Sequence, residues 1–311
     1  MTASVVIPCY NVEAYIDECL DSVKSQGDCV EEIFCVDNNS SDNTINIILK
    51  WIENNPNQKI TLLKEIKPGA CAARNKPLEL IKSEWIQFLD ADDLLLENKI
   101  SLQLQGSTGC DIIYDSFVKR GIDKHEIVVI PNSSIEIGIL ESNLGNTCSN
   151  LWRTEAIKGI GGWNEDQTSS QEYDLLFRLY QNGAKFQRLD NCKTIIRERE
   201  IGQISQGDQK LIWGNYTILR VRFFNQVIQP KNDNVLTNKA LSIIFVANQI
   251  LYQHNHHLAV KIYKTVLKPN HFILTATTVR NRLYNFTYRA FGFRCAEYIR
   301  GILINSDNKK S

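Results

Sequence analysis

Glu84-Trp85-Ile86-Gln87-Phe88-Leu89-Asp90-Ala91-Asp92-Asp93 sets an apolar run, short enough for a buried strand, directly before three acids. Asp90 and Asp92 would share a face if the strand continued, whereas a turn would gather all three carboxylates around one centre. Carboxylates that close repel one another unless a cation or hydrogen-bond donors neutralise them. Hard oxygen ligands suit Mg²⁺ or Mn²⁺, which take one or two protein carboxylates and complete their shell with phosphate oxygens and water. The same three acids also read as a turn that caps the following helix.

The flanking sequence bears on that choice. Upstream, Val5-Val6-Ile7 is a β-branched run closed by Pro8, and it is followed by a helical stripe of Tyr15, Ile16, Cys19, Leu20 and Val23. Ile33-Phe34-Cys35-Val36 is a second buried run, ending in the polar series Asp37 to Asp42. Ile45, Ile48, Leu49 and Ile52 then mark a helix, Ile60 to Leu63 a third strand, and Ala70 to Leu80 a helix after the Pro68-Gly69 turn. This alternation predicts βαβ units and a mostly parallel, doubly wound sheet. Ligands of such sheets bind beyond the carboxyl ends of the strands. Tyr10-Asn11, Asp37-Asn38 and Asp90 to Asp93 all fall there, which favours a site over three unrelated turns.

Composition sets further bounds. A chain of 311 residues with 43% hydrophobic residues can bury one large core or two ordinary ones. Zero formal charge argues against a nucleic-acid binder. The balance is uneven, however: residues 201–311 carry 15 Lys and Arg against four acids, a net of +11, so residues 1–200 carry −11. Nine cysteines, odd in number and without a Cys-x-x-Cys pair, point to a reducing cytoplasm rather than to disulfides or zinc. No signal peptide is expected, and the apolar stretch Ala240 to Tyr252, broken by Asn248 and Gln249, is expected to be too short for a bilayer.

Four motifs, Val5-Val6-Ile7-Pro8-Cys9-Tyr10-Asn11, Val36 to Thr44, Ala73-Arg74-Asn75 and Phe88-Leu89-Asp90-Ala91-Asp92-Asp93, closely resemble those of the family 2 glycosyltransferases in order and spacing. A fifth resembles that family's Gly-Gly-aromatic turn and acid-headed helix: Gly161-Gly162-Trp163-Asn164-Glu165, then Gln171-Glu172-Tyr173-Asp174. Together they cover roughly residues 3–205. The resemblance implies a GT-A fold, Rossmann-like, and inverting sugar transfer from a nucleotide-diphosphate sugar, a UDP-sugar first of all. It implies base and ribose contacts from Pro8, Tyr10, Asn11, Asp37 and Asn38. The family usually has an acid where Asn38 stands, which leaves the identity of the base open. Arg74 matches a position beside the diphosphate. Asp92 and Asp90 match the family's metal-binding DxD, with Asp93 in support and Mn²⁺ or Mg²⁺ as cofactor. Glu172 stands where the family places its catalytic base, with Asp174 as the competing candidate; on a helix the two point about 200° apart. Trp163 offers a flat face to a sugar ring or packs in the core. Arg199, in the stretch Arg197 to Ser205, stands where relatives carry a basic loop over the diphosphate.

Residues 115–150 read as irregular, as an acceptor-side region would. From residue 206 the chain reads as a basic, aromatic-rich helical region, with stripes over Leu211–Val227, Leu236–Tyr252, Leu258–Leu267 and Tyr284–Leu303. Arg280, Arg282, Arg289, Arg294 and Arg300 fall among aromatic residues there. Such a region either packs within the protein or meets an anionic membrane. The expectation is therefore a cytoplasmic polysaccharide-building enzyme with a GT-A domain over 1–205 and a helical region over 206–311. It would act on a glycan or lipid-linked acceptor, with peripheral contact at the inner face of the membrane. The alternatives are a nucleotide-sugar-binding protein of the same fold without turnover, and a nucleotidyltransferase. The latter would show a Gly-rich basic loop after its first strand, and Cys9-Tyr10-Asn11 is not one.

Overall fold

Each apolar run before Asp90 forms a strand. β1 (Ala3–Cys9), β2 (Val30–Asp37), β3 (Ile60–Lys64) and β4 (Trp85–Phe88) pair in parallel in the order β3-β2-β1-β4. The near-continuous burial of β1 reflects a sheet covered on both faces, where no polar alternation is needed. These strands belong to a computed structural model that describes residues 1–200, 206–270, 272 and 282–307. It divides the chain into two compact units, Met1–Gly202 and Gln203–Ser311.

In the first unit α1 (Ile16–Lys24) buries Ile16, Cys19, Leu20 and Val23, as the periodicity requires. α2 (Thr44–Asn54) buries Thr44, Ile48 and Trp51, and leaves Leu49 exposed, so its inward stripe is rotated from the one the sequence suggests. α3 (Ala70–Asn75) is shorter than the expected Ala70–Leu80. Pro77 has no N–H to continue the ladder, which ends the helix there. After β5 (Leu94–Leu95) and α4 (Lys99–Gln105), the stretch expected to be irregular holds β6 (Ile112–Arg120), β7 (Glu126–Val129) and α5 (Ile135–Glu141). β7 gives no sequence signal because an edge hairpin strand that is largely exposed buries no alternate face. β8 (Leu151–Arg153), α6 (Thr154–Gly159), α7 (Gln171–Gln181) and the twelve-residue β9 (Phe186–Arg197) complete the unit.

The second half of the sheet is mixed. β8 runs antiparallel between β4 and β6, β9 lies parallel to β6, and β5 folds back antiparallel on β9. The nine-stranded order is β3-β2-β1-β4-β8-β6-β9-β5, with β7 on β6. β5 follows the three acids directly, so the acid turn is anchored by β4 before it and by the β5–β9 pairing after it.

The second unit is helical: α8 (Gln209–Phe223), α9 (Asn234–His254), α10 (His256–Ile262) and α11 (Arg282–Asp307), the last broken at Gly292 by a positive φ of 79°. α9 corrects the sequence reading. At 21 residues it is long and apolar enough to cross a membrane by length and composition. Its Asn248 and Gln249 are nonetheless buried within this unit, donating to the carbonyl of Ala259 and to Glu297 Oε1. Ile201–Ser205, Arg280 and the side chain of Arg282 lie outside the described residues.

Candidate active site

At the carboxyl end of β4 the amide of Asp93 donates to the carbonyl of Asp90 at 2.9 Å, closing a turn that gathers the acids. Oxygens of Asp90 and Asp93 and the Cys148 sulfur all lie within 4.8 Å of one another. Asp93 is buried and held: Oδ1 accepts from the Arg197 amide at 2.9 Å and Oδ2 from the Cys148 thiol at 3.3 Å. Asp92 faces elsewhere, its Oδ2 in an ion pair with Arg199 Nε at 2.8 Å. Asp90, about a third exposed, accepts from Arg74 at 2.6 Å. Burial, then repulsion from Asp90, raises the Asp92 carboxyl above the ordinary range; burial and both neighbours push Asp93 well above it. Hard carboxylates held together at this cost suit Mg²⁺ or Mn²⁺, and the ligand atoms that converge here are those of Asp90, Asp93 and Cys148, whereas Asp92 is drawn to Arg199. Asp93, with both oxygens already bonded, also braces the turn.

Arg74 is the hub on the other side. Buried on α3, it reaches Asp90 and the Gln171 amide oxygen at 3.2 Å, and its guanidinium covers the Trp163 ring at 4.6 Å. Trp163 is thereby corrected. It is buried, packed edge-on against Phe88 and Trp152, and Arg74 occupies the face that was offered to a sugar. What fixes it is Asn75, which accepts from the Trp163 amide and donates to its carbonyl. Gly162 has φ +73°, and a Cβ there would lie 2.5 Å from Asn75 Oδ1, so glycine is required.

The residues expected around the base lie at the ends of β1 and β2. Tyr10 is 60% exposed, with its ring open for stacking. Pro8 lies in β1 opposite Val36. Asp37 Oδ1 accepts from the Ser40 amide, and Asn11 Oδ1 from the Ser41 amide, at 3.1 and 2.8 Å. Asn38 is bonded locally. Its amide nitrogen donates to the carbonyls of Glu65 and Lys67, and its oxygen accepts from the Gly69 amide. A carboxylate could not donate those two bonds, so Asn at this position secures the 65–69 loop.

At the start of α7, Glu172 and Asp174 separate as helical geometry demands. Asp174 is buried and paired with Arg178 at 2.7 Å, which in turn donates to the carbonyls of Ile160 and Gly162. Glu172 Oε2 accepts from the amide and hydroxyl of Thr147, and burial pushes its carboxyl up to about 7. Thr147 and Cys148 are not legible in the sequence, because their segment carries no periodic signal. A further cavity of about 460 Å³ is lined by Asn11, Tyr15, Arg120, Arg197, Arg199 and Glu200.

The family model described as Glycosyl transferase family 2 matches residues 4–157, from β1 through most of α6 and including the acid turn. The chain is 25% identical over 306 residues to the minor teichoic acid biosynthesis protein GgaB of Bacillus subtilis (strain 168), covering 90% of this chain. It spans only 32% of that relative's length. The crystal structure of S. aureus TarS 1–349 in complex with UDP-GlcNAc is similar in fold, with a TM-score of 0.61, 18% identity, and 93% and 92% of the two chains covered. So is the mannosyltransferase PcManGT from Pyrobaculum calidifontis in complex with GDP-Man and Mn²⁺, with a TM-score of 0.55, 18% identity, and 96% and 86% covered.

Proposed function

Because the chain belongs to the family 2 glycosyltransferases, we propose that it moves a sugar from a nucleotide-diphosphate donor to an acceptor hydroxyl with inversion at the anomeric carbon. The observation that carries this reading is a half-buried carboxylate with a raised pKa, Glu172, in the same site as an acid turn backed by Arg74. Glu172 takes the proton of the acceptor hydroxyl as that oxygen bonds to the anomeric carbon. The bond from that carbon to the diphosphate oxygen breaks on the opposite side, and the diphosphate leaves with the electron pair. One carboxylate base and no covalent intermediate give inversion. Asp90 and Asp92 would hold Mn²⁺ or Mg²⁺, which supplies charge neutralisation for the leaving diphosphate. Arg74, and Arg199 with it, add positive charge on the same side.

The donor is a UDP-sugar in this reading; the similar TarS structure holds UDP-GlcNAc. The acceptor is a glycan or lipid-linked saccharide, in keeping with the teichoic acid biosynthesis in the name of GgaB. Catalysis belongs to residues 1–205. The basic helical region, 206–311, contacts the inner face of the membrane from the cytoplasm. The experiment is a panel of UDP-glucose, UDP-N-acetylglucosamine and GDP-mannose, each with Mn²⁺, scored by thermal shift and by nucleotide release with added acceptors. A UDP-sugar should stabilise the chain and be turned over, and its product should have the inverted anomeric configuration. Retention of configuration, or no response to any donor, would overturn the reading.

A further inference from the structure

A single residue holds one oxygen of the proposed base. The Thr147 amide donates to Glu172 Oε2 at 2.8 Å and the Thr147 hydroxyl donates to the same oxygen at 2.9 Å. Among the described residues Oε1 accepts no hydrogen bond, so the two carboxylate oxygens are made inequivalent. Two donors on one oxygen fix the plane of the carboxylate and turn the other oxygen to the site. They also favour the ionised form against the burial that opposes it.

Thr147 is itself rigidly set. It is buried, and its carbonyl accepts from Trp152 Nε1 at 3.4 Å. The turn that carries it is closed on both sides: Asn146 Oδ1 accepts from the Cys148 amide, and Ser149 Oγ accepts from the Asn146 amide. Gly145, at φ +74°, lets the turn sit against Asn150, whose Oδ1 would lie 2.0 Å from a Cβ there. The next residue, Cys148, accepts from the Asp90 amide at 3.2 Å and donates to Asp93. One turn thus bonds the acid cluster through Cys148 and the base through Thr147.

We propose that Thr147 is a positioning residue for the reaction, aligning Glu172 through its hydroxyl and amide so that Oε1 meets the acceptor hydroxyl. This rests on the assignment of Glu172 as the base. A catalytic carboxylate must be held within a fraction of an ångström of its working position, and a rigid neighbour with two donors does so.

The test is a double-mutant cycle of Thr147→Val and Glu172→Gln, with Thr147→Ser as rescue, using the nucleotide sugar that the wild type turns over fastest. Valine keeps the shape and the backbone donor but loses the hydroxyl. T147V should lower kcat roughly tenfold to a hundredfold, the worth of one hydrogen bond to a charged group, with donor KM nearly unchanged. T147S should recover most of the lost turnover. In the E172Q background T147V should cost nothing further, because residues acting through one group are not additive. An equal loss in both backgrounds, or a rise in KM with kcat unchanged, would mean a merely structural role and overturn the proposal. If E172Q alone turned over at the wild-type rate, the base assignment itself would fall, and this proposal with it.

Discussion

Arg199 Nε lies 2.8 Å from Asp92 Oδ2, so the carboxylate proposed to hold a divalent cation is held by an arginine. Both side chains are largely buried, at 17% and 13% exposure, so the attraction is screened less than at the surface. The guanidinium and an incoming metal therefore compete for the same negative charge. Arg199→Gln should raise Mn²⁺ affinity of the nucleotide-free chain about fivefold, the equivalent of about 1 kcal/mol for one lost ion pair. Calorimetric titration with Mn²⁺ reads this directly. Unchanged or weaker affinity would show that Arg199 and metal do not compete.

Asp92→Asn removes ligand charge without changing volume. Mn²⁺-dependent binding of UDP should be lost in this variant while its thermal unfolding stays close to wild type, since the metal-binding charge and not the fold is removed. Normal Mn²⁺-dependent UDP binding by the variant would exclude Asp92 as a ligand. The fold of the turn should survive because its closing bond, Asp93 amide to Asp90 carbonyl, is made by backbone.

A base must be ionised to accept a proton. Burial raises the Glu172 carboxyl to about 7; the Thr147 donors and Arg74 pull it down, and Asp90 pushes it up. Turnover should therefore climb as pH rises through about 7 and level off above it, and Glu172→Gln should lose roughly 10²–10⁴ in kcat with donor affinity kept. The raised carboxyl means the folded chain holds a proton that the unfolded chain has released between about pH 4.5 and 7. Stability from this group consequently falls as pH rises through that window, and E172Q should remove the fall. Urea titrations of both proteins at pH 5 and pH 8 measure it.

How much of this is legible in the sequence differs from residue to residue. Val5 to Ile7 and Trp85 to Leu89 announce themselves because strands of a covered parallel sheet are apolar on both faces. Asp90 to Asp93 are visible because nothing but a site or a cap explains three acids after such a run. Trp163 is ambiguous in sequence, since an aromatic after Gly-Gly fits a core as well as a sugar face; the cation of Arg74, 89 residues earlier, decides it. Asn38 reads as a weakened base contact, and its hydrogen bonds to the 65–69 loop are ones no local pattern announces. Thr147 is invisible for the same reason: its importance is a tertiary contact with α7.

Lys99 is a buried cation whose Nζ donates to Gln87 Oε1 and to the carbonyl of Asn150 at 3.4 Å. Burial lowers its ammonium to about 7 against the opposing pull of Asp115. Between about pH 7 and 10.5 the unfolded chain therefore holds a proton that the folded chain lacks, so stability from this group rises with pH across that window. Lys99→Met should flatten the rise. Comparing urea midpoints of the two proteins at pH 7 and pH 9.5 checks it; parallel profiles would mean Lys99 stays charged through solvent access.

The last prediction concerns α11. Phe286, Phe291, Tyr298 and Ile302 are all more than half exposed, and Arg289 and Arg294 lie exposed among them. Large aromatic side chains left in solvent beside arginines are what an interfacial helix presents: rings for the headgroup boundary, cations for anionic lipid. The break at Gly292 divides the helix but leaves exposed aromatic residues on both sides of it. Each arginine near an anionic surface contributes about 1 kcal/mol, an attraction that fades within a Debye length. The chain should therefore co-sediment with phosphatidylglycerol-containing liposomes at low salt, and salt raised to about 0.5 M should release most of it. Arg289→Glu with Arg294→Glu should abolish the low-salt binding, and Phe286→Ser with Phe291→Ser should weaken what persists at high salt. A chain that ignores anionic liposomes at low salt would exclude a membrane role for this segment.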